Sequence, residues 1–289
     1  MTQYKQAKVV AEIGAVHLGS LDRAKELCNL ARLSGAPYVK MQKRNPLEST
    51  PIEMRDKPHP NALFSYGDTY LEHRQNLELT INQHADLQDY CEDIGIVYTT
   101  SVWDMTSARE IIGLNPPFIK IPSACNQHYQ MLNYIAENYC GGIHLSTGMT
   151  TADELEVLLE WIVSSDTGSR TVLYHCTSKY PCPFDDLHLL EISNLNLRTN
   201  GTGVQIGFSN HGKGIATDIA AYMLGASWIE RHFIDDRTVR HTDAAASLEP
   251  GGLSRLVRDL KAVRSSLSNR PAEMDAEELA QRNKLKYKG

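Results

Sequence analysis

Eight short apolar runs, each closing on polar or charged residues, alternate along this chain with longer stretches of helical spacing: residues 8–13, 38–42, 97–101, 118–121, 143–146, 172–175, 205–208 and 228–232. Such runs read as parallel strands joined by helical crossovers, because a strand buried on both faces is nearly continuous in apolar residues and needs a helix to return the chain. Eight of them predict an α/β architecture, a (β/α)8 TIM barrel. That fold takes ~250 residues, nearly all of the 289 present. One barrel domain over residues 1–268 is expected, with 269–289 as a C-terminal tail.

The connecting segments support this reading. Residues 21–34 place Ala24, Leu27, Cys28 and Ala31 at helical spacing, and 151–163 does the same with Leu155, Leu158, Leu159 and Ile162. Ser20 precedes the first, and the run Thr150, Thr151, Ala152, Asp153, Glu154 opens the second, so a hydroxyl can cap free amides while acids suit the positive helix end. The connection over residues 43–74 is unusually long, with Pro46, Pro51, Pro58 and Pro60, and is expected to lie over the barrel mouth as a loop insertion. Its Tyr70, Glu72, His73 and Arg74 then face either substrate or solvent.

Composition excludes several function classes. The 29 Lys and Arg stand against 35 Asp and Glu, a net charge of -6 with no long basic stretch, so no nucleic acid partner is expected. The best apolar stretch, residues 214–228, contains Asp218, and the first residues are polar and lack a signal-like apolar run. No membrane association and a cytoplasmic location are expected. Cys28, Cys91, Cys125, Cys140, Cys176 and Cys182 form no CxxC pair, and a chain of this size has little need of disulfide staples; they read as free thiols.

In such barrels active sites form at the C-terminal ends of the strands. Here those ends carry Glu12, Lys40 with Gln42, Thr100 with Ser101, Lys120 with Ser123, Ser146 with Thr147, His175 with Thr177, Ser209 with His211, and Glu230 with His232. Two lysines and several hydroxyls suit a phosphorylated anion, since ammonium groups balance its charge and hydroxyls bond its oxygens. His211 and His232, one strand unit apart, either hold one divalent metal or are structural.

In order and spacing the stretches 11–19 (AEIGAVHLG), 39–42 (VKMQ), 120–123 (KIPS), 145–149 (LSTGM), 175–181 (HCTSKYP), 207–211 (GFSNH) and 229–233 (IERHF) resemble the catalytic barrel of the N-acylneuraminate (sialic acid) synthases over roughly residues 8–265. The resemblance implies a metal-dependent condensation of phosphoenolpyruvate with a sugar aldehyde such as N-acetylmannosamine, giving phosphate and a 3-deoxy-2-ulosonic acid. By position it implies that His211 and His232 bind manganese or magnesium. It places Lys40, Thr100, Lys120, Ser123, Ser146, Thr177 and Ser209 around phosphoenolpyruvate, and Gln42, Glu230 and Tyr180 near the sugar. It makes Glu12 the acid/base candidate and Asp243 a carboxylate near the metal. A homo-oligomer is left open.

The sequence departs from that pattern at Val16, where the family has asparagine, at Cys125, where it has an acid, at Thr177, commonly asparagine, and at Ala244, usually histidine. Family members commonly continue into a small antifreeze-like domain, whereas this sequence stops at Gly289. The expectation is therefore a different or shorter acceptor sugar, or a cap from another polypeptide. Two other readings stand beside the synthase: a non-catalytic barrel that binds a sugar phosphate, and another metal-dependent barrel lyase or aldolase, whose Schiff base would fall on Lys120 or Lys40.

Overall fold

The computed structural model describes residues 4–287; residues 1–3 and 288–289, the outer ends of the expected domain and tail, lie outside them. The strands are β1 (Lys8–Gly14), β2 (Tyr38–Lys43), β3 (Val97–Val102), β4 (Phe118–Ile121), β5 (Gly142–Ser146), β6 (Thr171–Cys176), β7 (Gln205–Asn210) and β8 (Trp228–His232). They pair in parallel in chain order, and β8 pairs back to β1 to close a barrel without edges. This is the expected (β/α)8 fold, with every strand end within two residues of the sequence reading.

Outside the barrel run α1 (Leu21–Leu33), then three short helices in the 43–74 region and just beyond, α2 (Pro46–Ser49), α3 (Ile52–Arg55) and α4 (Tyr70–Asn76). The remaining flanks are α5 (Ile81–Ile94), α6 (Met105–Leu114), α7 (Tyr129–Asn138), α8 (Ala152–Ser164), α9 (Leu190–Arg198), α10 (Ala216–Met223) and α11 (Pro250–Ser266). A last helix, α12 (Ala276–Leu285), buries none of its residues. The insertion is thus not a bare loop: Asn45 and Thr69 accept amide bonds that start α2 and α4.

The helix starts follow from local chemistry. Ser20 accepts from the Arg23 amide at 3.2 Å and opens α1, whose Ala24, Leu27, Cys28 and Ala31 turn inward onto the strands. Thr151 and Glu154 form a reciprocal capping box at α8, worth about 1 kcal/mol. Leu158 and Ile162 of that helix join the large apolar layer between strands and helices.

A second, smaller apolar cluster fills the barrel itself. Val10, Phe118, Val172, Tyr174 and Trp228, with Tyr38 against them, plug its N-terminal half, and His144 stacks on Phe118 with ring centroids 3.8 Å apart. Gly207 makes room for this plug, because a Cβ there would lie 2.6 Å from the Tyr174 ring. Gly207→Ala is expected to lower unfolding free energy by about 1–3 kcal/mol, read from urea denaturation; an unchanged midpoint would show that the ring has room to move.

Candidate active site

Side chains of a strand alternate between its two faces. Two residues beyond Val10, Tyr38, Phe118 and Trp228 of the apolar plug therefore stand Glu12, Lys40, Lys120 and Glu230, all pointing into the barrel above it. Lys40 Nζ lies 2.6 Å from Glu12 Oε2 and 3.7 Å from Glu230 Oε1, and Lys120 Nζ lies 2.8 Å from Glu230 Oε2. All four are buried. The floor of the cleft is thus two ammonium groups balanced by two carboxylates.

The two carboxylates differ. Burial pushes Glu230 up, but Lys120 and Lys40 outweigh it and hold the carboxyl well below the usual range. For Glu12 burial prevails over Lys40, and the nearby Glu230 charge adds to it, so this carboxyl sits above its ordinary value. Gln42 Nε2 donates to Glu12 Oε1 at 2.9 Å, Arg44 donates to Gln42 Oε1 at 2.9 Å, and Ser209 Oγ donates to Glu230 Oε1 at 3.3 Å. A chain of bonds therefore climbs from the floor through Glu12 and Gln42 to Arg44.

Above the floor stand the two histidines, with ring centroids 5.3 Å apart. The main-chain carbonyl of Thr177 lies 3.0 Å from His211 Nδ1, so Nδ1 carries a proton and Nε2 is the nitrogen left to act as a ligand; burial is outweighed by Cys176 and by that carbonyl, which raise His211 above the ordinary imidazole value. His232 Nδ1 is buried with no hydrogen-bond partner; Asp243 Oδ2 lies 3.6 Å from it and 3.6 Å from His241 Nδ1. Burial, only partly opposed by Asp243, lowers His232 to about 4 and keeps it neutral. Two imidazoles, one bonded through Nδ1 to a carbonyl and one neutral with an orphaned nitrogen, fit a divalent metal as two protein ligands, with His211 giving up its Nε2 proton on binding. Among the described residues no group of three or more His, Cys, Asp or Glu is placed to hold a metal ion.

The cleft encloses about 700 Å³. It brings together Glu12, Lys40, Gln42, Lys120, Ser123, Ser146, Tyr180, Ser209, His211, Glu230, His232 and Asp243 from the sequence reading. The Tyr180 ring covers the histidines, 4.1 Å from His211 and 5.8 Å from His232 between centroids.

Two expected residues are corrected. Thr100 pairs with Met41, not with Lys40 or Gln42, so it faces the helices and its neighbour Ser101 lines the cleft. Thr177 lies beyond the end of β6, and its hydroxyl donates to the Asp186 carbonyl at 2.9 Å; Cys176 and Ser178 face the cleft instead. At the family departure Cys125, the thiol is buried against the Trp103 carbonyl at 3.4 Å, and Ser123 and Ala124 supply the wall.

Several cleft residues escaped the sequence reading: Arg44, His59, Trp103 and His241. Arg44 continues the two-residue step of Lys40 and Gln42, a signal that was present; His59 and His241 come from irregular segments with no such pattern. The insertion does roof the mouth. Tyr66 Oη donates to the Arg240 carbonyl at 2.5 Å and Arg240 Nε donates to the Leu63 carbonyl at 2.6 Å, tying it to the segment after β8.

Balanced charges, hydroxyls and a histidine pair converge at the strand ends, the place where a barrel of this fold carries an enzyme's active site. Residues 27–271 match the NeuB family profile, and the chain belongs to that family of phosphoenolpyruvate-dependent sialic-acid-type synthases. It is 32% identical over 277 residues to the N-acetylneuraminate-9-phosphate synthase of Homo sapiens, covering 96% of this chain and 76% of that one. It is 29% identical to the N,N'-diacetyllegionaminic acid synthase of Campylobacter jejuni, covering 92% and 78%. Among solved structures, the N-acetylneuraminic acid synthetase of Leptospira borgpetersenii superposes with a TM-score of 0.79 at 25% identity, over 97% of this chain and 93% of that one. No helix among the described residues is long and apolar enough to cross a membrane.

Proposed function

We propose that this cleft joins phosphoenolpyruvate to the aldehyde of an open-chain aldose, an N-acetylmannosamine-like or shorter sugar, giving a 3-deoxy-2-ulosonic acid and inorganic phosphate. A bond forms between carbon 3 of phosphoenolpyruvate and the aldehyde carbon, water adds at carbon 2, and the bond from carbon 2 to the phosphate oxygen breaks. The observation that carries this reading is the charged floor of Glu12, Lys40, Lys120 and Glu230 directly beneath the histidine pair.

Each group has a part. A divalent metal, manganese or magnesium, on His211 and His232 would polarise the aldehyde oxygen. Lys40 and Lys120 present ammonium groups to the carboxylate and phosphate of phosphoenolpyruvate, with the hydroxyls of Ser146 and Ser209 beside them. Ser123 Oγ accepts from the Gly148 amide at 3.0 Å, which leaves its own proton for a substrate oxygen. Glu12, held above its ordinary value, takes and returns a proton at its carboxylate, while Gln42, Glu230 and Tyr180 orient the sugar. Asp243, kept ionised because His232, His241 and His211 outweigh its burial, orients the attacking water. Holding both substrates in line supplies much of the remaining rate.

The test is inorganic phosphate release from phosphoenolpyruvate with manganese and a panel of aldoses. Release is expected to require both an aldose and the metal. Release without aldose, or none with any aldose, would overturn the reading.

A further inference from the structure

The floor of the cleft is electrically closed, but its roof is not. Arg44 and Arg74 both line the cleft, and neither guanidinium makes an ion pair among the described residues. Arg44 donates to Gln42 and lies 3.3 Å over the Trp103 ring; Arg74 donates to Tyr70 Oη at 2.6 Å and lies 5.1 Å over its ring. These contacts fix the position of both groups without neutralising either.

The nearby carboxylates are engaged elsewhere. Glu78 accepts from the Arg44 main-chain amide and lies 3.6 Å from Lys43 Nζ, and Asp243 faces His232 and His241. Burial and then the Arg74 charge push Arg44 below the ordinary guanidinium range, so the two groups are near enough to repel each other. Arg44 is buried and Arg74 half-buried; an unpaired guanidinium so placed is costly unless an anion is present, and the two planar forks suit a phosphate dianion.

We propose that Arg44 and Arg74 form a phosphate subsite for the acceptor, so that the sugar condensed here carries a phosphate monoester at the end away from its aldehyde. This rests on the synthase reading above, and it names the acceptor class that the reading leaves open. Phosphoenolpyruvate is placed by Lys40 and Lys120 on the floor; Arg44 stands beyond Gln42, on the side where the far end of the sugar must lie. The names of the relatives do not decide the matter, since a phosphorylated product appears in one and not in the other.

The test is calorimetric binding of N-acetylmannosamine 6-phosphate and of N-acetylmannosamine to the full chain, without turnover. The phosphate ester is expected to bind at least tenfold more tightly, and Arg74→Ala and Arg44→Gln each to remove most of that ratio. Should Arg74→Ala misfold, Arg74→Lys keeps a charge but loses the fork and should reduce the ratio by less. Equal affinity for the two sugars in the wild type, or a ratio unmoved by these variants, would overturn the subsite. Tight binding through Arg74 without phosphate release from any aldose would sink the synthase reading and leave the subsite standing. Equally efficient release with phosphorylated and neutral aldoses would do the reverse.

Discussion

At neutral pH, Lys120→Met is expected to lower unfolding free energy by about 3 kcal/mol, the low end for removing one partner of a buried ion pair. Of its two cationic partners Glu230 would keep Lys40, at 3.7 Å, and lose Lys120 at 2.8 Å, with the Ser209 hydroxyl at 3.3 Å beside it. The pH dependence makes the prediction specific. Because the folded protein holds Glu230 below the ordinary carboxyl value of 4.5, its contribution is fully present above that value and is lost as pH falls through the lower folded one. The deficit of Lys120→Met should therefore be full from pH 6 to 8 and shrink below about pH 4.5. Urea unfolding across that range reads it directly. A deficit that is constant with pH would mean that the variant loses packing against Tyr174, whose ring lies 3.9 Å from Lys120 Nζ, and not charge pairing.

His232→Ala is expected to abolish measurable catalysis, with phosphate release falling about 10³-fold, which corresponds to about 4 kcal/mol of lost transition-state stabilisation. The same variant should bind manganese at least ~100-fold more weakly, read from the paramagnetic signal of the free ion, since altering even the supporting partners of a metal site commonly costs 10–100-fold. The stability of the variant should change little or rise slightly, because the removed ring carries an orphaned buried nitrogen. Manganese bound as tightly by the variant as by the wild type would place the ion elsewhere, whatever happened to the rate.

The strands were legible because each is a short apolar run that ends in polarity, and the inward charges because Lys40 and Gln42, or Glu230 and His232, step by two. Thr100 was misplaced for a physical reason: Thr99, Thr100 and Ser101 are consecutive hydroxyl residues, so the sequence offers no polarity alternation, and only pairing of Thr99 with Lys40 decides which of them turn inward. Thr177 was misplaced because the strand period ends at Cys176, after which the Asp186 carbonyl captures its hydroxyl. His59 and His241 were invisible because their place depends on the bonds that join Leu63 and Tyr66 to Arg240, contacts between segments more than 170 residues apart in the chain.

The balanced floor bears on how such a chain reaches its final state. The strands β1 to β4 bring together Glu12, Lys40 and Lys120, two cations against one anion, and Glu230 arrives only with β8. An open half-barrel would leave the Lys120 ammonium uncompensated and therefore hydrated, since an unpaired buried charge is unfavourable by several kcal/mol. A barrel lacking β8 would therefore keep water at its centre. The strand that completes the hydrogen-bonded ring is also the one that neutralises its centre.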